Sequence, residues 1–453
     1  MSHHSLICRL GAQDTAAVAG VAAGSRVTEI SFVDGYHRLG FGVGQALTEL
    51  RKIGLRPSET AIDLLLLAAM VTAADTRISR ASEAQDRWSR EIDLHVPVAD
   101  PALWTAQATL LAGMLHFLTG DRWAIHFHHR PTSLTTLAGP PAQPIAEHPN
   151  CVCLLSGGLD SFIGAINLLS AKHAPVFVSH YWDGITSKHE SYCIDALRKQ
   201  WTTGSIRQIR ARVGFPAGLI NGAGDEDTLR GRSFTFFSLA ALTASALEGD
   251  VVVHVPENGL ISLNVPLDAL RLGALSTRTT HPFYVARFNT LLGELGLHVR
   301  LQNEYRHKTK GQMVRECADQ AFLRRHAKNT MSCSSPSKGR WSGNEPMHCG
   351  HCMPCLIRRA ALIAGSGVDN TAYSIPDLRA RILDSSKAEG SNVRSFQVAL
   401  DRLFAEPNAA RFAIHQPGPL TDHPQDWAAY ESVYLEGMRE VAALLNGVLA
   451  RPL

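Results

Sequence analysis

Residues 151–169 read C-V-C-L-L-S-G-G-L-D-S-F-I-G-A-I-N-L-L. The apolar run 151–155 predicts a fully buried strand, and the apolar density of 162–169 predicts a packed helix. Ser156-Gly157-Gly158 interrupts both patterns, and its glycines let the backbone come close to a ligand. The following helix would present unpaired N–H groups and the positive end of its dipole to that corner. The stretch therefore predicts a phosphate-binding corner between a buried strand and a helix.

The hexapeptide S-G-G-L-D-S at 156–161 lacks the G-K-[ST] of a Walker A loop. It resembles the PP-loop of ATP pyrophosphatases, enzymes that split ATP into AMP and pyrophosphate while adenylating a substrate. The resemblance implies that this loop binds the pyrophosphate of ATP, with two hydroxyls and one carboxylate completing the site. The nucleotide-binding residues that it implies are Leu155, Ser156, Gly157, Gly158, Leu159, Asp160 and Ser161. The alternative is an ordinary strand–turn–helix corner.

Bulk properties are those of a globular protein. The chain has 453 residues, enough for about three domains, with 45% hydrophobic and 19% charged residues. The net charge of +3 comes without a clustered basic run, which disfavours nucleic acid as the main partner. The N-terminus shows no signal-peptide pattern, and the apolar run 64–74 is too short to span a bilayer. We therefore expect a cytoplasmic protein that is not bound to a membrane.

The pattern of elements divides the chain into four parts. Residues 1–148 are interpreted as an N-terminal α+β accessory domain and residues 149–330 as a PP-loop domain. Residues 331–365, which contain four cysteines, are predicted to bind a metal, and residues 366–453 are predicted to be a C-terminal helical segment. The predicted fold class is α/β, with a parallel doubly wound sheet, which the PP-loop resemblance implies is of the ATP pyrophosphatase type.

The N-terminal part carries strand patterns at 6–10, 27–32 and 123–128, and helical patterns at 60–74 and 105–118. His126, His128 and His129 follow one another closely at the end of its last strand. They form either a metal site or the alternating positions of an edge strand. The second interpretation is favoured because no carboxylate or cysteine completes the set. The proline-rich stretch 131–149 predicts a linker.

From residue 151 onward, strands alternate with helices, which favours a parallel sheet covered on both faces. Strands are predicted at 151–155, 175–181, 206–213 and 251–256, with helices at 187–201 and 230–247. The first and fourth strands should end on the same side as the phosphate loop. Glu257 and Asn258 follow the fourth strand and are predicted to bind substrate. The alternative for this Asn-Gly segment is a turn.

Two further stretches bear on ATP. Thr309-Lys310-Gly311-Gln312-Met313-Val314 resembles the T-K-x-E-[IL]-V segment of PP-loop enzymes, with a glutamine in place of the acid. This resemblance implies that Lys310 meets nucleotide phosphates, where it would offset charge on departing pyrophosphate; the alternative is a solvated lysine. At the second stretch, related enzymes carry an Arg-Asn pair. Here the pair is Arg232 followed by serine. Arg232 either holds a phosphate or carboxylate or is a plain solvated arginine. The predicted catalytic residues are thus Asp160, Lys310 and Arg232.

Four of the nine cysteines are grouped as C-x15-C-x2-C-x2-C. Thiolates at this spacing suit tetrahedral zinc, and a closed shell of four sulfurs leaves no position for water, so the zinc should be structural. An iron–sulfur cluster would favour a trailing proline, which is absent. His348 and His351 are expected to be supporting groups. The predicted metal ligands are Cys333, Cys349, Cys352 and Cys355.

The order of S-G-G-L-D-S, T-K-x-x-x-V, T-x-S-C at 330–333 and H-C-G-x-C-x-x-C at 348–355 looks like QueC, the 7-cyano-7-deazaguanine synthase family. The resemblance covers residues 150–365. The added N-terminal domain and the longer gap between the first two cysteines depart from the biosynthetic enzyme. Together with 257–259 and 276–282, they are similar to QueC-like proteins of bacterial anti-phage defence islands, the QatC type.

The resemblance implies ATP, Mg²⁺ and Zn²⁺. A carboxylate on 7-carboxy-7-deazaguanine, or on a related 7-deazapurine, would attack ATP and release pyrophosphate. A nitrogen nucleophile would then displace AMP: ammonia in the biosynthetic family, or a protein amine of a defence system. The alternatives are another PP-loop chemistry, such as tRNA thiolation, and a zinc-bearing nucleotide-binding scaffold of a defence complex that has lost catalysis.

Overall fold

The computed structural model describes residues 2–33, 38–84, 86–145, 148–202, 204, 206–268, 278–337, 345–406 and 408–453. Ser276 and Thr277, which open the stretch 276–282 noted above, lie outside the described residues. Among the described helices, none combines the length and the apolar character needed to cross a bilayer.

The first sheet is parallel throughout, which corrects the expectation of an α+β domain. Its strands are β1 (His3–Arg9), β2 (Arg26–Ser31), β3 (Glu91–Val98) and β4 (Arg122–His129), in the order β2-β1-β3-β4. Helices α1 (Val43–Lys52), α2 (Glu59–Arg77) and α3 (Arg80–Glu83) separate β2 from β3. Helices α4 (Pro101–Ala106) and α5 (Ala108–Thr119) lead from β3 to β4, so the predicted helix 105–118 is in fact two helices. The expectation failed because the sequence does not show whether neighbouring strands pair in parallel.

Helix α2 is buried on every side because it lies between the first sheet and a helix that covers the second sheet. Every residue from Ala61 to Thr76 is buried. One side packs against the apolar face of the first sheet, and the other meets α8 (Arg232–Ala244), where the hydroxyls of Thr72 and Thr235 lie 2.6 Å apart. One hydrophobic core therefore joins residues on both sides of the 148/149 boundary.

The second sheet is the predicted parallel sheet. In the described residues its strands are β5 (Cys151–Leu154), β6 (Pro175–His180), β7 (Arg207–Ala211), β8 (Val251–His254) and β9 (Val299–Gln302), in the order β7-β6-β5-β8-β9. The first four were predicted and β9 was not. From β5 the chain adds β6 and β7 on one side and then β8 and β9 on the other side. The strand order therefore reverses between β5 and β8. In such sheets ligands bind at this switch point, outside the carboxyl ends of the strands.

Helices cover both faces of this sheet. Helix α8 and α10 (Pro282–Glu294) pack on one face. Helices α6 (Leu159–Ser170), α7 (Gly184–Gln200), α11 (Lys310–Arg315) and α12 (Gln320–His326) pack on the other. A short helix, α9 (Gly259–Leu263), follows β8.

The C-terminal part is helical, as predicted. It contains α14 (Ala388–Ala405), α15 (Ala409–Ala413) and α16 (Trp427–Leu445), with one short parallel pair, β10 (Leu383–Asp384) and β11 (Ala450–Arg451), and it is preceded by α13 (Met353–Ser366) in the segment of the cysteines. These helices share a second core with Leu260 and Leu263 of α9. The C-terminal segment therefore packs against the carboxyl edge of the second sheet.

The proline-rich stretch 131–149 has one short 3-10 turn, Thr132–Leu134, and otherwise no helix or strand in its described part. It is nevertheless fixed to the first domain. The Glu59 carboxylate of α2 accepts hydrogen bonds from the backbone N–H groups of Leu137 (3.0 Å) and Ala138 (2.9 Å). The stretch is thus a connection anchored at the N-terminal end of α2.

Candidate functional site

The S-G-G-L-D-S corner lies at the switch point, between β5 and α6. The Ser156 N–H donates to Ser161 Oγ (3.2 Å), and the Ser161 hydroxyl donates to Gly158 O (3.1 Å). Gly158 is the N-cap of α6 and provides no side-chain capping bond. By contrast, the side chains of Asp183 and Thr309 cap α7 and α11. Helix α6 therefore keeps first-turn N–H groups without a capping side chain, at the positive end of its dipole.

Gly157 is held by packing on both sides. Its φ is +75°, and a Cβ there would lie 2.8 Å from the backbone N of Glu190 in α7. On the other side, the Met331 N–H donates to Gly157 O over 2.8 Å. A side chain at this position would need both a left-handed backbone and a displaced α7. The shape of the corner is thus fixed from outside the loop.

Asp160 is the meeting point of three predicted site residues. Its side chain is buried, with Lys310 Nζ 3.0 Å from Oδ1. Asn258 donates to Oδ2 from its side-chain amide (2.7 Å) and from its backbone N–H (3.2 Å). Asn258 also caps α9, because its Oδ1 accepts from the N–H of Ile261 (3.1 Å). The Glu257–Gly259 segment is therefore a helix start whose amide orients Asp160, and the predicted contact of Asn258 with substrate stays a prediction.

Glu257 places a second carboxyl beside Asp160. Burial raises the pKa of Glu257 well above its usual range, and the negative charge of Asp160 adds to the effect. Burial alone would also raise the pKa of Asp160, but the Lys310 ammonium and hydrogen bonds from Glu257 and Asn258 hold that pKa below its usual range. The pair is thus one ionised and one protonated carboxyl, and a bound cation would allow both to ionise.

Lys310 is a buried lysine and not the solvated one of the alternative interpretation. It begins α11 inside a capping box: the Gln312 N–H donates to Thr309 Oγ1 (3.0 Å), and the Thr309 N–H donates to Gln312 Oε1 (2.8 Å). A glutamate at this position would close the same box. The glutamine that departs from the PP-loop pattern therefore preserves the structure that places Lys310.

Arg232 lies on the opposite side of the corner from Lys310. It begins α8, is partly buried, and its Nη2 lies 3.4 Å from His180 O at the end of β6. Within the described residues, no hydrogen bond or ion pair connects it to Asp160 or Lys310. The predicted catalytic set is thus divided, with Asp160 and Lys310 in contact and Arg232 apart from them.

Glu190 is a site residue that the sequence did not reveal, because a lone glutamate inside a helix carries no pattern. It is fully buried in α7, against Gly157. Its Oε2 lies 3.4 Å from Arg210 Nε, while its Oε1 has no hydrogen-bond partner among the residues that the structure describes. Burial raises the pKa of Glu190 to about 7, although Arg210 and Arg232 act in the other direction. Strongly shifted, buried groups of this kind are candidates for functional residues.

The four predicted cysteines come together in one cluster. All four Sγ atoms lie within 4.8 Å of one another. Cys333 and Cys352 are separated by 3.9 Å, as are Cys349 and Cys355. A tetrahedral ion about 2.3 Å from each sulfur requires sulfurs about 3.8 Å apart, so the geometry suits such an ion. The buried cluster is consistent with a structural metal site.

Backbone groups around the cluster support its sulfurs. The N–H groups of Cys349 and Cys352 point at Cys333 Sγ (3.5 Å) and Cys349 Sγ (3.2 Å), respectively. His348 accepts a bond from the Ser332 N–H at Nε2 (3.2 Å), and His351 contacts Ala388 O. Both histidines thus hold backbone next to the cluster, in agreement with the supporting role expected for them.

Helix α13 starts at the cysteine cluster and reaches the PP-loop-like corner. Its fully buried Arg358 donates to Ala327 O (2.6 Å) and Thr330 Oγ1 (2.8 Å), directly before the Met331 N–H that holds Gly157. Further along, α13 packs so closely on α11 that a Cβ at Gly365 would lie 2.5 Å from Gly311 O. One helix therefore supports both the corner and the helix of Lys310.

The C-terminal helix α16 also reaches the site, which the sequence did not indicate. The Thr309 hydroxyl donates to the carboxyl of Glu440. Burial raises the pKa of Glu440, while its hydrogen bonds with Thr309 and Gly311 lower it. Glu440 thus stands at the start of α11, one residue from Lys310.

The histidine-rich strand β4 is an edge strand, as predicted. The expectation that no carboxylate completes its histidines is wrong. Asp93 and His95 of the neighbouring β3 lie beside His126, with candidate ligand atoms within 4.8 Å of one another. The sequence did not show this because strand register is not visible in a sequence.

Comparison with known proteins adds no family to this geometry. A scan of family models, a search of curated proteins and a search of solved structures each gave no match to this chain.

Proposed function

We propose that the protein is an ATP-dependent ligase of the QueC type. It adenylates the carboxylate of 7-carboxy-7-deazaguanine or a related 7-deazapurine, releases pyrophosphate, and transfers the acyl group to a nitrogen nucleophile. The observation that carries this proposal is the convergence of an uncapped helix start, Asp160 and Lys310 at the switch point of a parallel sheet. The motif resemblance of residues 150–365 contributes the substrate class.

The corner binds the two terminal phosphoryl groups of ATP. The first-turn N–H groups of α6 and the Ser156 hydroxyl donate to phosphate oxygens, and the Ser161 hydroxyl exchanges its bond to Gly158 O for one to a phosphate oxygen. A substrate carboxylate oxygen attacks the α-phosphorus, the bond from that phosphorus to the pyrophosphate oxygen breaks, and pyrophosphate leaves with the electron pair. The Lys310 ammonium stabilises the charge that develops on it. The amine then attacks the acyl carbon, AMP leaves, and the amine loses a proton.

The carboxyl pair fits the Mg²⁺ that such chemistry uses. Asp160 and Glu257 offer oxygen ligands at the carboxyl ends of β5 and β8, and Mg²⁺ is commonly held by one or two carboxylates together with substrate phosphates. Without a cation the pair keeps one proton, as the raised pKa of Glu257 indicates. Bound Mg²⁺ would neutralise charge on the triphosphate.

Arg232 and Glu190 form the substrate side of the corner. A guanidinium at the end of β6 suits the substrate carboxylate or a phosphate. The Glu190 Oε1 acceptor, which has no partner in the described part of the chain, suits an N–H group of a purine-like base. We assign Zn²⁺ to the four cysteines, where four thiolates make the ion structural.

The acceptor amine is ammonia in a biosynthetic 7-cyano-7-deazaguanine synthase and a protein amine in bacterial anti-phage defence. The departure of the chain from the biosynthetic layout favours defence, in which other proteins of the system are the expected partners. A scaffold without catalysis would keep nucleotide binding and lose turnover.

Pyrophosphate release tests the proposal. The full chain is incubated with ATP, Mg²⁺ and 7-carboxy-7-deazaguanine, alone, with ammonium, and with amine-bearing peptides. Asp160→Ala should abolish release, and the matched control Asp195→Ala, an exposed position on α7, should not. Unchanged turnover in Asp160→Ala would refute the site. ATP binding without any turnover would favour the scaffold.

A further inference from the structure

The first sheet has two unlike faces. One is apolar and packs against α2. Along β3 and β4 the other carries Asp93, His95, His126 and His128, as the parallel register requires. Parallel sheets usually have both faces covered by helices. Here the segment 10–25, which has no helix or strand, crosses the polar face instead.

That segment is fitted closely to the polar face. A Cβ at Gly20 would lie 2.6 Å from the His126 ring. The Ser5 hydroxyl donates to Ser25 Oγ (3.0 Å). The polar groups beneath are consequently buried: Asp93 is 5% exposed and His95 is fully buried. A solvated surface does not account for buried imidazole and carboxylate groups at adjacent positions.

His95 is the anomaly in this cluster. Both of its ring nitrogens lack a hydrogen-bond partner among the described residues, although a buried polar group without a partner costs about 1–3 kcal/mol. Its ring stacks on that of His126, the residue opposite it in the β3–β4 register, with centroids 4.7 Å apart and planes inclined by 14°. The unsatisfied nitrogens therefore lie where a second imidazole and a carboxylate also present ligand atoms.

Side chains of the neighbouring strand β1 orient Asp93. Its Oδ1 lies 2.9 Å from His3 Nε2, and its Oδ2 lies 3.4 Å from Ser5 Oγ. Ligating carboxylates are commonly fixed by such outer polar contacts. This arrangement differs from the four cysteines in both location and donor chemistry.

We propose that Asp93, His95 and His126 bind a divalent transition-metal ion, with Zn²⁺ as the first candidate. Two imidazoles and one carboxylate are ligands that suit Zn²⁺ and its first-row neighbours. Three protein ligands leave a coordination position for water or a ligand atom, unlike the closed shell of the four cysteines. The site lies in the first sheet and does not depend on the proposed ligase activity.

Cobalt distinguishes the two sites by spectroscopy. The metal-free full chain is titrated with Co²⁺: ions at the cysteines give thiolate-to-cobalt charge-transfer absorption, while ions held by imidazole and carboxylate give d–d bands without it. We expect two equivalents in the unaltered protein. His126→Ala should lose the equivalent without charge transfer, and Cys352→Ser should lose the other. His129→Ala is the matched control, because His129 is exposed at the end of the same strand.

Asp93→Asn is a second variant, in which the side chain keeps nearly the same shape. It should lower the Co²⁺ affinity of the site without thiolates at least about 10-fold, the usual effect of losing a ligand or its support. Circular dichroism confirms that each variant is folded. A wild-type chain that takes up only the thiolate-bound ion overturns the proposal. So does a second equivalent that persists unchanged in both His126→Ala and Asp93→Asn.

Discussion

Replacing Glu190 with glutamine should make the protein more stable and less active. Glu190 is fully buried, with one carboxyl oxygen near Arg210 and the other without a partner among the described residues. Glutamine has nearly the same shape, and its carbonyl can keep the contact with Arg210 while the buried negative charge is removed. A charge retained at the expense of stability is expected where function requires it.

The magnitude follows from the pKa of Glu190, which burial raises from 4.5 to about 7. Below about pH 4 the carboxyl is protonated in the folded and unfolded chains alike and does not affect stability. Between about pH 4.5 and pH 7 the unfolded chain ionises first, so the folded chain binds more protons and its stability falls as the pH rises. Above pH 7 the full difference of about 3 kcal/mol is present. Glu190→Gln should therefore gain up to about 3 kcal/mol at pH 8 and almost nothing at pH 4.

Urea denaturation of the wild type and of Glu190→Gln at a series of pH values measures this difference. Asp195→Asn, an exposed position on the same helix, is the control and should stay within about 0.5 kcal/mol of the wild type at each pH. The rate of pyrophosphate release should fall about 10- to 100-fold in Glu190→Gln, because the substrate would lose one hydrogen bond to a charged acceptor. A variant that is no more stable than wild type at pH 8, or whose gain does not grow with pH, would refute the reasoning.

Three further predictions concern the corner and its supports. Gly157→Ala should lose ATP binding and about 2–5 kcal/mol of stability, because the backbone is left-handed there and the new Cβ would overlap with α7. Calorimetry measures both effects. The neutral control is Gly184→Ala, because a Cβ at Gly184 would meet no described atom within 4 Å. Lys310→Met should destabilise by about 3–5 kcal/mol because it leaves a buried carboxylate unpaired. In an Asp160→Asn background the same change should be much milder, and equal losses in both backgrounds would contradict the ion pair. Arg358→Met should weaken ATP binding several-fold without changing the metal content of the cysteine cluster; an unchanged affinity for ATP would show that α13 does not support the corner.

Local patterns in the sequence predicted much of the second sheet and of the cysteine cluster. The β5–α6 corner was predictable because a buried strand, two glycines and an apolar helix follow one another within 19 residues, 151–169. The cysteines were predictable because short spacing alone brings three of them together. Strand β9 (Val299–Gln302) was missed because its sequence V-R-L-Q alternates apolar and polar residues and lacks the continuous apolar run that revealed β5 and β8.

The sequence could not show contacts that depend on strand register or on packing between segments that are distant in the chain. Asp93 and His95 lie beside His126 only because β3 pairs with β4 in one register. Glu190 reaches Gly157, and Glu440 reaches Thr309, because helices far apart in the sequence pack together. The α+β expectation for the first domain failed for the same reason, since the direction of strand pairing is a tertiary property.

The cysteine cluster has a structural consequence at the S-G-G-L-D-S corner. The N-cap of α6 is a glycine and brings no side-chain cap, so the shape of the corner depends on the Met331 N–H and on the backbone of α7. Met331 lies two residues before Cys333, and Arg358 of α13 holds the preceding turn. The same helix packs on α11, which carries Lys310. A metal ion at the four cysteines would fix both Cys333 and the start of α13. Its removal should therefore loosen the corner and Lys310 together, so that metal content and ATP affinity fall in parallel while the apolar core of the second sheet persists.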